Sequence, residues 1–117
     1  SFKDEELTNI ILNQVKVHGK IVAYGASARS STLLNYCGIC SEHISVVIDK
    51  NPLKHGLMTA GSDIPIVSYE DGLSCIEDSH IILLLAWNFK DEIIQELRQS
   101  GYKGQFIVPL PDHPYIV

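Results

Sequence analysis

At 117 residues the chain is one domain, with enough material for a hydrophobic core that needs neither disulfide nor metal. Hydrophobic residues make up 45% and charged residues 20%, the balance of a globular protein and not of a disordered or fibrous one. Nine basic against fourteen acidic residues give a formal charge of −5, so no general electrostatic footprint for nucleic acid or an anionic membrane is present, and any anionic ligand must be caught locally.

The chain opens on "SFKDEEL", which is acidic and polar and does not read as a secretory leader. Leu7, Ile11 and Val15, with Ile10 beside them, recur at helical spacing. Asp4, Glu5 and Glu6 stand in front, and Lys16, His18 and Gly19 behind, as the helix dipole favours. A leading helix over residues 1–18 follows. "KIVAYG" is a short strand ending at Gly25, and Ser30 to Cys37 reads as a helix closed by Gly38. "ISVVID" is a second strand, ending at Asp49, and "KNPLKHGLMTAGSD" carries the Pro and Gly punctuation of a loop.

"IPIV" is a short third strand. Ser68 with Asp71 three residues on resembles a capping box for a helix through Cys75, weakened by Gly72 inside it. "HIILLLAW" is continuously apolar, as a strand buried on both faces of a parallel sheet would be. Its apolar core, Ile81 to Trp87, is far short of the roughly 20 residues that a spanning helix needs. Asn88 is expected to cap a helix in which Phe89, Ile93 and Leu97 share a face and which Gly101 ends. "QFIVPLP" is a fifth strand stopped by prolines. Strands alternating with helices predict an α/β fold, a doubly wound parallel sheet of about five strands in the order 3-2-1-4-5.

Such sheets bind ligands at the carboxyl ends of their strands, near the switch in strand order. Three segments collect there: the one after Tyr24, the one after Asp49, and the turn "AWNFKD". The first, "AYGASARSST", has the place of a dinucleotide loop but one glycine where that fingerprint has three. Aligning Gly25 with the first glycine puts Ser27 at the second, where its side chain would occupy the space of a pyrophosphate, and Ser30 at the third. The loop still feeds a helix N-terminus, where free amides and the dipole attract an anion. Ser27, Ser30, Ser31 and Thr32 add hydroxyls and Arg29 a charged fork. The competing reading is that Ser27 merely caps the helix and Arg29 is solvated. No GK[ST] follows, which excludes a Walker A loop.

Asp49 stands where an acidic residue would bind a ribose hydroxyl, or else it forms the turn ahead of "NP". Lys54 and His55 on the same loop are candidates to reach an anion, though on a chain with five histidines a solvated His55 is the simpler reading. Trp87 either stacks on a ligand ring or closes the core. Cys37, Cys40 and His43 invite a zinc or redox reading. A thiol at a helix C-terminus, however, is opposed by the dipole, a nearby fourth ligand is lacking, and reduced thiols of a cytoplasmic protein are the simpler account. No catalytic triad order, nucleophile elbow or general base is legible.

Taken together, "GKIVAYGASARSSTLLNYCGI", "VIDKNPLKHG", "IPIVS", "LLLAWNFKDEI" and "FIVPLP" resemble, in order and interval, the C-terminal domain of sugar-nucleotide C-methyltransferases. The resemblance covers Lys20 to about Val117. It implies a Rossmann-like domain, 20–117 behind the leading helix 1–18, excised from a three-domain protein. The other two parts would be a cysteine-rich zinc-binding region and a domain that binds S-adenosylmethionine (SAM). Such enzymes methylate a carbon next to the keto group of a deoxysugar carried on a nucleoside diphosphate, typically dTDP. A base removes the acidic proton and the enolate attacks the SAM methyl group.

Clustered cysteines, a glycine-rich SAM loop and the catalytic base are not among these residues, so the domain alone is expected to be inactive and to bind no cofactor itself. Ala60 stands where the family often has proline, and Arg29 with Ser30 where Lys and Gly are common. The resemblance implies a nucleotide-sugar substrate, with the SAM domain of the same polypeptide across a cleft, and the strand-end geometry offers Gly25, Ala26, Ser27, Arg29, Ser30, Asp49, Asn51, Lys54, Trp87 and Asn88 as the residues expected to hold it. A free-standing module for NAD, CoA or a nucleotide sugar is the alternative. A purely architectural domain is a third.

Overall fold

The computed structural model describes residues 2–117. In chain order it runs α1 (Phe2–His18), β1 (Ile21–Tyr24), α2 (Ala28–Cys37), β2 (Ile44–Ile48), β3 (Ile66–Val67), α3 (Tyr69–Ile76), β4 (Ile81–Leu84), α4 (Lys90–Gln99), β5 (Gln105–Val108) and β6 (Tyr115–Ile116). The strands form one sheet in the order β3-β2-β1-β4-β5-β6. The first five are parallel to their neighbours and β6 pairs antiparallel with β5. This is the Rossmann-like, doubly wound arrangement that alternating strands and helices predict.

The alternation of side chains along each strand divides the core in two. Ile21 and Ala23 of β1, Ile44 and Val47 of β2 and Ile81 and Leu83 of β4 face one way, where Leu7 and Ile11 of α1 and Leu34 of α2 cover them. Val22 and Tyr24, Ile48, Ile82 and Leu84, and Phe106 face the other way, under Ile76 of α3 and Ile93 and Leu97 of α4. Both faces being covered explains why β4 reads as an unbroken apolar run. Gly72 weakens α3 by propensity but is required by packing, because a Cβ there would stand 2.5 Å from Ile48 Cγ1.

The structure corrects several expected boundaries. α2 starts at Ala28, two residues before the expected Ser30, because Ser27 caps it. "IPIV" contributes only Ile66–Val67 to the sheet, since Met58 bridges Pro65 antiparallel and Ile66 donates to the Leu57 carbonyl, folding the loop back on the strand. β4 stops at Leu84, after which Trp87–Phe89 forms a 3-10 turn. Asn88 lies inside that turn and does not cap α4, whose N-cap is Phe89 with no side-chain bond. Phe89 is therefore exposed instead of sharing the buried face of Ile93 and Leu97. The expected order of five strands gains a sixth. Beyond the prolines the chain returns as β6, where Phe106 and Val117 exchange two backbone bonds of 2.7 and 2.9 Å.

No helix of the described residues is long and apolar enough to cross a membrane.

Candidate functional site

The turn from β1 into α2 is set by contact with the turn after β4. Gly25 has φ +105°, its amide donates to the Ile48 carbonyl at 2.8 Å, and the Ala86 amide donates to the Tyr24 carbonyl at 3.1 Å. A Cβ on Gly25 would lie 2.7 Å from Ala86 Cβ and 2.8 Å from Ala86 N. The single glycine of this loop is thus demanded by two backbones in contact, whatever is bound above them.

Ser27, extended at φ −109° and ψ 171°, caps α2: its Oγ accepts from the Ser30 amide at 3.1 Å and lies 3.0 Å from Ser30 Oγ. The Ser31 amide donates to the Ser27 carbonyl and Thr32 Oγ1 to the Ala28 carbonyl. Helix geometry leaves the amides of Ala28 and Arg29 with no acceptor inside the helix, and they carry the positive end of the dipole. Arg29 is exposed on this first turn.

Asp49, just past β2, clamps the two loops together. Its Oδ2 accepts from the Ala26 amide and its Oδ1 from the Asn51 amide, each at 2.8 Å. Lys54 Nζ lies 3.8 Å from Asp49 Oδ2 and donates to the Ala26 carbonyl. His55 Nε2 is 2.7 Å from the Asp49 carbonyl. Asn51 accepts from the Leu53 amide and so caps the 3-10 turn Pro52–Lys54. Gly25 and Ala26 thus spend their amides on Ile48 and Asp49. The Asp49 charge is offset by Lys54.

Gly25, Ala26, Ser27, Arg29, Ser30, Asp49, Trp87 and Asn88 line one cleft of about 240 Å³ at the carboxyl ends of the strands, on the α2 side of the sheet. Asn51 and Lys54 stand behind it, holding the loop. Trp87 is half-buried and packs against the α4-side core while also bordering this cleft. A second cleft of about 460 Å³ opens on the α4 side, between Tyr24, Lys50, Phe89, Ile93 and Glu96. Gly25, Asp49, Ala86 and Phe89 border both.

In the second cleft, Glu96 takes Tyr24 OH on Oε1 at 3.3 Å and Lys50 Nζ on Oε2 at 2.5 Å, and that ammonium sits 5.0 Å from the Tyr69 ring centre. The sequence reading missed this network. Periodicity puts Tyr24 on the α4 face and Glu96 three residues beyond Ile93, next to the buried stripe, but does not pair two residues that lie 72 positions apart. Burial first, then the neighbouring Glu96 carboxylate, push the Tyr24 phenol well above its ordinary 10.0. A raised folded-state value means that the phenol's contribution to stability is complete below about pH 10 and is lost as pH rises past it. Urea midpoints should therefore fall with pH above 10 more steeply for the native chain than for Tyr24→Phe. Parallel slopes would show that Glu96 and burial do not hold this phenol.

A larger cavity of about 700 Å³ lies at the opposite edge, among His18, His80, Glu77, Asp78 and Tyr102. The His18 and His80 rings stack there at 4.1 Å. Its rim mixes Glu77 and Asp78 with Lys103. Among the cysteines, burial pushes the Cys37 thiol up, and Cys40 donates its amide to His43 Nδ1 at 3.1 Å, a local turn. Among the described residues no group of three or more His, Cys, Asp or Glu is arranged to hold a metal ion.

A family model described as the C-methyltransferase C-terminal domain matches residues 2–111. The C-methyltransferase NovU of Streptomyces niveus is 41% identical over 106 residues, which is 87% of this chain and 24% of the relative. The chain thus spans about a quarter of the length of that relative. The crystal structure of UDP-D-quinovosamine 4-dehydrogenase from Vibrio fischeri matches with a TM-score of 0.53 at 24% identity, over 75% of this chain and 76% of that one. That likeness is one of fold.

Proposed function

The chain belongs to the C-methyltransferase C-terminal domain family, and from that membership we propose that it forms the anion-binding wall of the substrate pocket of a larger methyltransferase, its ligand a nucleotide-linked keto-deoxysugar. The observation that carries this reading is the N-terminus of α2, capped by Ser27 and flanked by Arg29, opening onto the 240 Å³ cleft at the switch in strand order. The diphosphate meets the Ala28 and Arg29 amides and the Arg29 guanidinium, and the sugar extends toward Trp87 and Asn88.

SAM and zinc belong to other parts of the enzyme in this reading. Ala26 and Ser27 carry side chains where a glycine-rich cofactor turn would need none, and Gly25 is committed to Ala86. What these residues contribute is position: they hold the phosphates so that the reacting carbon is presented to the neighbouring domain of the same polypeptide. The proton abstraction and the methyl donor lie outside this chain.

Replacing Arg29 by alanine removes one charge-assisted fork from the phosphate and should weaken thymidine diphosphate by about 10-fold, measured by calorimetry on the full-length enzyme. The unfolding midpoint should not change, since Arg29 is exposed. An unchanged affinity would favour the architectural alternative, and tight binding of NAD by the domain would favour a free-standing cofactor module.

A further inference from the structure

We propose that His18 and His80, stacked beside the 700 Å³ cavity at the edge of the sheet opposite the strand-end clefts, form a two-histidine site for a divalent transition metal of the imidazole-preferring kind, Zn²⁺, Ni²⁺ or Cu²⁺. The inference does not depend on what the strand-end clefts bind.

The first observation is proximity. His18 ends α1 and His80 stands immediately before β4, yet their ring centres are 4.1 Å apart and the rings 28° from parallel. Two imidazoles held by one ion at roughly 2.1 Å place their ring centres about 5 Å apart, so these rings need to spread by only about 1 Å. Both side chains are exposed and have room to do so. The backbones from which they hang are fixed: the Gly19 amide donates to the Val15 carbonyl at 2.8 Å, and the Gln105 amide to the His80 carbonyl at 2.9 Å.

The second observation is which polar groups remain unspent. Around the cavity, the hydroxyls of Ser79, Ser100 and Tyr102 donate to the carbonyls of Ile81, Leu97 and Gln105. The other three histidines are committed as well: His43 Nδ1 accepts from the Cys40 amide, His55 Nε2 lies 2.7 Å from the Asp49 carbonyl, and His113 Nδ1 lies 2.8 Å from Glu6 Oε1. The ring nitrogens of His18 and His80 have no hydrogen-bond partner among the described residues, so a metal ion has only water to displace from them.

The third observation is charge. Glu77 and Asp78 outnumber Lys103 on the cavity wall, and His18 sits at the C-terminal end of α1, where the helix dipole favours a cation. Among the described residues no third histidine, cysteine or carboxylate joins the pair as a ligand, so water fills the remaining positions and the ion exchanges freely. Such an ion ties the leading helix to the start of β4.

The test titrates zinc chloride into the chain and follows the imidazole ring signals by NMR, for the native sequence, His18→Ala and His80→Phe. The His18 and His80 signals should shift together while those of His43, His55 and His113 stay in place. Each substitution should weaken zinc by about 10-fold. His80→Phe keeps a flat ring against His18 and removes only the nitrogens, so its urea midpoint without zinc should match the native one. Adding zinc should raise the native midpoint and leave that of His80→Phe where it was. Magnesium chloride should have no effect, because that ion takes oxygen ligands. Equal shifts at all five histidines, or native zinc affinity in His80→Phe, would overturn the site. Magnesium reproducing the zinc shifts would overturn it too, by assigning the cation to Glu77 and Asp78.

Discussion

Gly25→Ala is expected to destabilise the domain by about 4 kcal/mol, more than any single ligand-facing change proposed above. Two costs combine. A side chain at φ +105° is strained, and its Cβ would press on Ala86 N and Cβ at 2.8 and 2.7 Å, where both partners are backbone or attached directly to it. Neither loop can retreat cheaply, because the Gly25 amide is bonded to Ile48 and the Ala86 amide to Tyr24. Urea unfolding measures the loss. Adding Ala86→Gly should restore about half of it, by removing the Cβ contact while leaving the strain and the approach to Ala86 N. Full recovery in the double variant would show that backbone strain contributes nothing. A loss below about 1 kcal/mol in Gly25→Ala would show that the two turns are not in contact.

Asp49→Ala should cost about 3 kcal/mol, read from the same unfolding curves. The carboxylate is only 17% exposed and accepts two backbone amides from loops that the sequence separates. Truncation leaves the Ala26 amide, on a buried residue, without an acceptor. Asn in place of Asp keeps one acceptor oxygen but turns an NH₂ toward the other amide, so about half of the loss is expected. A ribose-binding Asp would behave differently, losing ligand affinity at nearly unchanged stability. The two readings that the sequence leaves equal for Asp49 are thus separated by one denaturation experiment.

The elements that could be read from the sequence were those whose signal is local. β1, β2, β4 and α4 announce themselves through apolar runs, helical spacing and flanking glycines, and the strand order follows from their alternation. The errors fall where the deciding contact is distant. β3 is shortened by a loop that folds back through Met58 and Leu57. β4 is cut short because residues 85–89 are used to bring Ala86 against Tyr24, some sixty positions earlier in the chain. Prolines 109 and 111 read as a full stop, whereas the chain only turns back to make β6. The place of the candidate site was legible for the same reason as the fold, since strand ends converge at the switch point. The division of labour within it was not: the Ala26–Asp49 bond spans 23 residues and the Tyr24–Glu96 bond 72, and no local pattern encodes either.

The flanks of the sheet carry a consequence for how the protein behaves in company. A strand with open hydrogen-bonding groups is a template on which another chain can add, and the inner strands, four or five residues long and wholly apolar in places, would be effective templates. They are kept inside. Each outermost strand, β3 on one side and β6 on the other, is two residues long, the first overlaid by residues 57–59 and the second entered through Pro114. Growth by edge addition therefore meets on one side a strand whose outward groups at Ile66 are already taken by Gly56 and Leu57, and on the other a strand of two residues, too short to seed stacking of one copy on the next.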